Sequence, residues 1–341
     1  MRKVTQAALA CVWLIGCTDD KPVTDVDPEV PPQDTDGAVI VGPPDTAEPD
    51  TDAETDEPVE PTPPPGPDCS VLPAVPATFD ILSDFGTAED FDIDALGYHV
   101  SVRQQNLLAR NQAGDQLILG TNVSSEAAGT RILPDGAIVV NRVAQGALVR
   151  VDPNGSKEVI VGDLAYPNGM EVDPEGFVYV AEQDGGRIRR VNPYTGENWV
   201  IASGLNAPNG IIFGPDYDLL YFNSFGGGTL HVIEKITDTT YTEPLLLQYK
   251  PGGGGFDGLN VDECGNIYIT EYVAGIVWRV TPDGGQVDEV ATLPSSWIPN
   301  MRWGNGIGGF EEDVLYVSDR DRGRLYGLHI GLKGKPAVYW P

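Results

Sequence analysis

Ala207-Pro208-Asn209-Gly210-Ile211-Ile212-Phe213-Gly214-Pro215-Asp216 decides how this chain is read, because its pattern returns at intervals of roughly forty to fifty residues. Tyr166-Pro167-Asn168-Gly169-Met170-Glu171-Val172-Asp173-Pro174-Glu175-Gly176 repeats it, and Phe256-Asp257-Gly258-Leu259-Asn260-Val261-Asp262-Glu263-Cys264-Gly265 does so again. Each copy opens on one polar residue, and a turn glycine follows it, as Gly176 follows Asn168. Aligning on that glycine adds Glu89 before Gly97 and Ala128 before Gly136. A last copy, matched through Leu315-Tyr316 to Leu219-Leu220-Tyr221 because its own turn is irregular, places Asn305 in the same slot. The opening residues are therefore Glu89, Ala128, Asn168, Asn209, Asp257 and Asn305.

Around each opening residue the pattern is that of short strands. In the third copy the innermost strand is Gly169 to Val172, followed by the tight turn Asp173-Pro174-Glu175-Gly176. Strands at Phe177 to Ala181, Arg187 to Val191 and Trp199 to Ala202 complete it. Runs such as Val178-Tyr179-Val180 and Ile267-Tyr268-Ile269 are β-branched and aromatic, as buried strands prefer, and helical periodicity is absent. Six such repeats predict an all-β, six-bladed propeller over residues 69–341, an architecture that leaves only short protected edges. The Gly-His and Trp-Asp marks of a seven-bladed WD40 propeller are missing. Phe79-Asp80-Ile81-Leu82-Ser83-Asp84-Phe85 resembles the outer strand Trp199-Val200-Ile201-Ala202-Ser203-Gly204-Leu205 but precedes the first copy, while the last copy lacks a fourth strand. The segment around Phe79 to Leu82 is thus expected to complete the last blade.

Ahead of the repeats, Met1-Arg2-Lys3, a short apolar run and Gly16-Cys17 have the form of a secretory signal; a spanning helix would need about 20 apolar residues. Leu14-Ile15-Gly16-Cys17 resembles a bacterial lipobox. It predicts a signal peptide over 1–16, a lipidated Cys17, and a mature protein anchored in the bacterial cell envelope, periplasmic or surface-exposed; an ordinary signal with a chance cysteine is the bland alternative. Residues 17–68 are Pro, Asp, Glu and Thr with scarcely an aromatic, a composition expected of a disordered tether. About half of the formal net charge of -30 lies there, so the acidity describes the tether and argues against a nucleic-acid partner.

In a propeller the opening residues converge at one mouth of the central axis. Glu, Ala, Asn, Asn, Asp and Asn there make a set of hard oxygen donors, which suits Ca²⁺ or another divalent cation. Zinc would call for nitrogen or sulfur, and His99, His231 and His329 fall in no ligand spacing. For any single copy the plainer explanation is that Pro-Asn-Gly and Phe-Asp-Gly are ordinary turn formers. Their shared register is what a turn role leaves unexplained, since two carboxylates brought into one narrow mouth repel unless a cation or a proton sits between them.

These residues resemble the SMP-30/gluconolactonase/LRE propellers, with paraoxonases and diisopropylfluorophosphatase as more distant relatives. The resemblance implies that Glu89, Asn168, Asn209 and Asp257 hold a calcium or other divalent ion. It further implies that the chain hydrolyses a lactone or related ester, with Asp257 and Asn168 as catalytic residues. Tyr166 stands where sugar lactonases place an arginine, which sets an acidic sugar lactone in question. Asn305, Glu182, Asn223, Glu271 and Asp319 are expected as further lining of the mouth, with Arg103, Tyr272 and Trp303 near it; a solvated rim is the other reading of each. No Gly-x-Ser-x-Gly elbow, His-Glu-x-x-His or phosphate loop occurs. The alternative is a non-catalytic, NHL-like propeller that binds a ligand or protein partner. A monomer is expected, and Cys69 and Cys264 are either a disulfide or two unpaired thiols.

Overall fold

The computed structural model describes residues 66–250 and 255–339. The expected signal peptide, Cys17 and the tether up to residue 65 lie outside them.

The regular structure among the described residues is all strand, apart from a single 3-10 turn at Val143–Gln145. Its strands form six antiparallel sheets in chain order, five of four strands and one of five. The innermost strands are Phe91–Ile93, Thr130–Ile132, Pro167–Val172, Pro208–Phe213, Phe256–Val261 and Met301–Trp303. Each touches the next around the circle, and the last touches the first, so the ring is closed. This is a six-bladed propeller.

The local chemistry of each blade is legible in its first turn. In blade three Asp173 accepts hydrogen bonds from Phe177 N at 2.8 Å and from Tyr179 Oη at 3.0 Å. In blade five Asp262 accepts in the same way from Asn266 N at 2.9 Å and Tyr268 Oη at 3.1 Å. Gly176 closes its turn at φ 85°, a backbone region where a side chain would be strained. The carboxylate thereby satisfies turn amides that would otherwise be buried without partners and pins the tyrosine of the second strand. Between blades the side chains interdigitate. Tyr268, Val277 and Val290 of blade five, for example, pack with Met301, Leu315 and Tyr326 of blade six.

Closure follows the sequence. Phe79–Leu82 pairs antiparallel with Arg324–His329, Phe79 opposite Leu328 and Ile81 opposite Tyr326, making the outer strand of blade six. The Phe79 and Tyr326 rings meet edge to face at 5.7 Å. Ten residues before Phe79, Cys69 is joined to Cys264 by a disulfide with Cα atoms 5.4 Å apart, which ties the start of the domain to the first turn of blade five.

At one end of the axis the C-terminal residues 333–339 form a strap. Lys335 N donates to Val261 O at 3.1 Å, and its ammonium, buried at 8% exposure, meets Glu171 Oε1 at 2.8 Å. Tyr339 Oη donates to Asp92 Oδ1 at 2.6 Å. The strap leaves a cavity of about 60 Å³ at that end, lined by Trp303 among others. The residues that open the innermost strands lie at the opposite end.

Candidate metal centre at the axial mouth

Strand register fixes which residues open each blade. Met170 pairs with Val180, Ile211 with Phe222, Leu259 with Ile269, Thr130 with Val140, Phe91 with Ser101 and Met301 with Val317. Two residues before these come Asn168, Asn209, Asp257, Ala128, Glu89 and Pro299. Five of the six positions are those expected from the repeat. The sixth is Pro299 and not Asn305, which lies beyond the far end of the innermost strand. There its amide donates to Asp94 O at 2.8 Å, and Asp94 belongs to the first turn of blade one, on the strap side. The error has a physical cause: residues 304–313 connect the first two strands of blade six, a longer and more irregular link than the tight turns elsewhere, so counting back from the second strand stops short of the mouth.

Asn168, Asn209 and Asp257 lie within their innermost strands, at a local irregularity of the pairing, and not in turns. The glycine after each has a separate reason. A Cβ on Gly169 would lie 2.2 Å from Asn209 O, and one on Gly210 would lie 2.1 Å from Asp257 O. Neighbouring innermost strands pass so close here that only glycine fits, which is what the Asn-Gly phrase encodes.

A second set of residues holds these strands together. Asn223 Oδ1 accepts from Gly210 N at 3.0 Å while its Nδ2 donates to Asp257 O at 2.7 Å. Asn141 likewise accepts from Ala128 N at 2.7 Å and donates to Asn168 O at 2.7 Å. Thr270 accepts from Gly258 N at 2.8 Å and donates to Pro299 O at 3.1 Å. Each latches its own blade to the opening residue of the next. Asn223, expected as lining, is thus a fully buried latch. Asn141 and Thr270 were missed, although they occupy the same place in their second strands as Asn223 and a register comparison of those strands would have found them.

Glu182, Glu271 and Asp319 also prove structural, and none is free to line a pocket. Glu182 is fully buried, bonded by Arg187 Nε and Arg189 Nε, each at 2.8 Å, and by Ala165 N at 2.7 Å. Glu271 accepts from Trp278 Nε1 at 2.9 Å and from Lys250. Asp319 accepts from Ser295 Oγ at 2.8 Å and Tyr326 Oη at 2.9 Å. At the end of the second strand a carboxylate of this kind anchors the hairpin to the third strand by charge-assisted bonds. Trp303 sits at the strap end and not near the mouth.

The ring itself is buried and acid-rich. Asn168, Asn209 and Asp257 are 6%, 3% and 4% exposed. Asn168 Nδ2 donates to Gln183 Oε1 at 2.8 Å, which reserves its amide oxygen as an acceptor. Burial, reinforced by the charge of Glu89, pushes the Asp257 carboxyl well above the usual carboxylate range, against the opposing pull of Arg320 and a hydrogen bond from Asn209. Burial raises Glu89 as well; Arg320 opposes the shift, and Asp90 and Glu126 add to it. The Arg320 guanidinium lies directly against Glu89 Oε2 and reaches Tyr272 Oη at 3.4 Å. Arg320 was missed from the sequence, where it stands in the charged run Asp319-Arg320-Asp321-Arg322. Below the ring Asp90, Arg131, Arg302 and Glu171 continue along the axis as buried ion pairs: Arg302 Nη2 is 3.2 Å from Asp90 Oδ1 and Arg131 Nε is 3.6 Å from Glu171 Oε2.

Among the described residues no three His, Cys, Asp or Glu side chains gather as a metal cluster. The ring has two carboxylates and draws its remaining donors from amides. That set fits a hard divalent ion: two carboxyls that burial makes harder to ionise are stabilised as anions by a dication, and all four side chains offer oxygen.

A closed six-bladed propeller with an oxygen-donor ring at one mouth defines the class of protein. Residues 179–319, from the second strand of blade three to the second strand of blade six, match the SMP-30/Gluconolactonase/LRE-like region. It is 28% identical over 165 residues to a 6-deoxy-6-sulfogluconolactonase of Pseudomonas putida, covering 46% of this chain and 55% of that protein. It is 24% identical over 206 residues to a gluconolactonase of Zymomonas mobilis, covering 52% and 57%. The matches thus span a little over half the length of either curated relative. Among solved structures, a gluconolactonase from Xanthomonas campestris superposes with a TM-score of 0.63 at 18% identity, covering 76% of this chain and 91% of that one. Regucalcin from Agrobacterium tumefaciens, described as a calcium-binding protein, gives 0.61 at 17%, covering 76% and 95%. At these identities the structural likeness is one of fold.

Proposed function

We propose that the chain is a divalent-cation-dependent hydrolase of a lactone or related ester, with Glu89, Asn168, Asn209 and Asp257 holding the ion, most simply Ca²⁺. The observation that carries this reading is the pair of carboxyls at the mouth, buried Asp257 and part-buried Glu89, both raised by burial, with the charge of Glu89 adding to the rise at Asp257, in a ring whose other donors are amide oxygens. The lactonase names of the two sequence relatives support the reaction class.

When bound, the ion would supply Lewis-acid polarisation of the carbonyl under attack. This chain's residues provide the rest. Asp257, oriented by the Asn209 amide, takes the proton of the attacking water at its carboxylate. Asn168, held by Gln183, presents its amide oxygen to ion and substrate. Ala128 offers no donor and leaves one side of the ring open for substrate. The strap closes the other end of the axis, so the reaction is approached from a single mouth.

One observation favours the alternative, a non-catalytic binding propeller: Arg320 already sets a positive charge against Glu89 and braces the mouth without an ion. Calcium titration of thermal stability, with elemental analysis and a lactone and aryl-ester panel run with and without chelator, separates the two. A hydrolase requires wild type to be stabilised by calcium and to lose turnover with chelator, and Asp257→Asn to lose both responses. Metal-free protein indifferent to calcium would leave the binding module.

The proposal extends to place. The lipobox at Leu14-Ile15-Gly16-Cys17 supports a monomer anchored to the cell envelope through lipidated Cys17, and the Cys69–Cys264 disulfide accords with an oxidising compartment. Mass spectrometry of the mature N-terminus tests the anchor; an unmodified N-terminus or an uncleaved signal would refute it.

A further inference from the structure

Beside the ring, on the seam where the last blade meets the first, lies an open cavity of about 610 Å³. Its lining brings together Glu89 of the ring, Arg103 from blade one, Glu126 from the segment before blade two, and Arg320 and Arg322 from blade six. Residues 84–87, which lead from the outer strand of blade six into blade one, form its wall, and Gly86 N donates to Gly323 O at 3.0 Å, tying that wall to the blade-six loop.

The arginines of the cavity are not equivalent. Arg320 is engaged by Glu89, and Arg322 donates to Pro294 O at the rim. Arg103 ends the second strand of blade one, the place where blades three, five and six carry the buried carboxylates Glu182, Glu271 and Asp319. Here the register partner is Asn106, and none of the ion pairs among the described residues uses the Arg103 guanidinium. Its side chain lies instead along the backbone of Gly86. A Cβ there would fall 2.2 Å from Arg103 Nε, and Gly86 has φ 85°, so the wall is shaped to receive this arginine. The carboxylates at the cavity other than Glu89, Asp84 and Glu126, are exposed, where water and salt weaken their pull on a neighbouring cation. A planar cation held in place, without a carboxylate partner and facing a cavity continuous with the ring, is the chemistry that receives an oxyanion in bidentate fashion.

We propose that this cavity is an anion-binding subsite in which Arg103, seconded by Arg320, receives a carboxylate or sulfonate group of the substrate, so that the ring acts on anionic lactones in preference to neutral ones. It rests on the reading of the ring as the reacting site.

The test compares D-glucaro-1,4-lactone, which carries a carboxylate, with neutral D-glucono-1,5-lactone, using the full chain with calcium. Arg103→Gln should raise KM for the carboxylate-bearing lactone at least tenfold, change kcat little, and leave the neutral lactone unaffected. Arg103→Lys should restore most of the loss, which a merely structural role for Arg103 would not produce. Proportional losses on both lactones, or no loss on either, would overturn the subsite. If neither lactone is turned over, the hydrolase reading fails by itself, and calorimetric binding of D-glucarate decides the subsite. A tenfold weaker Kd in Arg103→Gln, recovered in Arg103→Lys, supports it; equal binding by wild type and Arg103→Gln, or none by wild type, overturns it.

Discussion

Replacing both Cys69 and Cys264 by alanine removes a cross-link between residues 195 apart in sequence. The native contacts around it do not depend on it: Ala77 N still donates to Val290 O, Arg279 Nη1 still reaches Pro73 O at 2.9 Å, and the strand at Phe79–Leu82 stays paired. The effect therefore falls mainly on the unfolded chain, which gains the freedom that the closed loop had denied it. For a loop of this length the chain-entropy relation gives a loss of about 5 kcal/mol, the upper end of what such bonds deliver. Spread over the unfolding entropy of a domain this large, that corresponds to a fall in melting temperature on the order of 10 °C. Thermal melts followed by circular dichroism would be compared for wild type, for Cys69→Ala/Cys264→Ala, and for wild type under reductant, with non-reducing peptide mapping to confirm the bond. The reasoning is refuted if the linked peptide is found and the double variant melts with the wild type, because a closure of this length cannot then be constraining the unfolded state.

Gly210→Ala should be among the most destabilising single changes, by about 3 kcal/mol or more, since its Cβ would meet the Asp257 carbonyl of the next blade and backbone cannot step aside; a melting temperature within 2 °C or so of wild type would contradict the close approach. Lys335→Met should cost about 3 kcal/mol, the lower end for breaking a buried pair because Arg131 stays 3.6 Å from Glu171, and urea unfolding would expose an error if the midpoint were unmoved. Burial between aromatic rings holds His99 down at about 3 against an ordinary 6.5. The unfolded chain therefore takes up its proton first, and stability is lost as pH falls below that ordinary value. Asp92, pushed up to about 6 chiefly by burial, works in the opposite direction, so the comparison must be with a variant. Relative to His99→Gln, wild type should lose about 2 kcal/mol between roughly pH 7.5 and 5; a pH-independent difference between the two would refute it.

Much of this was legible in the sequence because a propeller is a repeat, and each repeat reports on the others. The alternation of strands, the turn glycines and the orphan strand at Phe79–Leu82 follow from local pattern alone, and so do five of the six ring positions. What failed were residues whose role depends on a neighbour in space. Asn305 looks like a ring residue by spacing, yet the long link at 304–313 carries it to the opposite end of the axis. Glu182, Glu271 and Asp319 read as mouth lining until the arginines, lysine, serine and aromatic donors that bind them are seen. Arg320 is one charge among many in the chain, and Arg103 is placed near the mouth by pattern but without its neighbours. Only closure of the last blade on the first sets one against Glu89 and lays the other along Gly86. The sequence by itself determined the blades, because strand formation and turn chemistry are local. The tertiary structure decided the electrostatics of the mouth, because charges from blades far apart in the chain interact only once the ring is closed and water is excluded from between them.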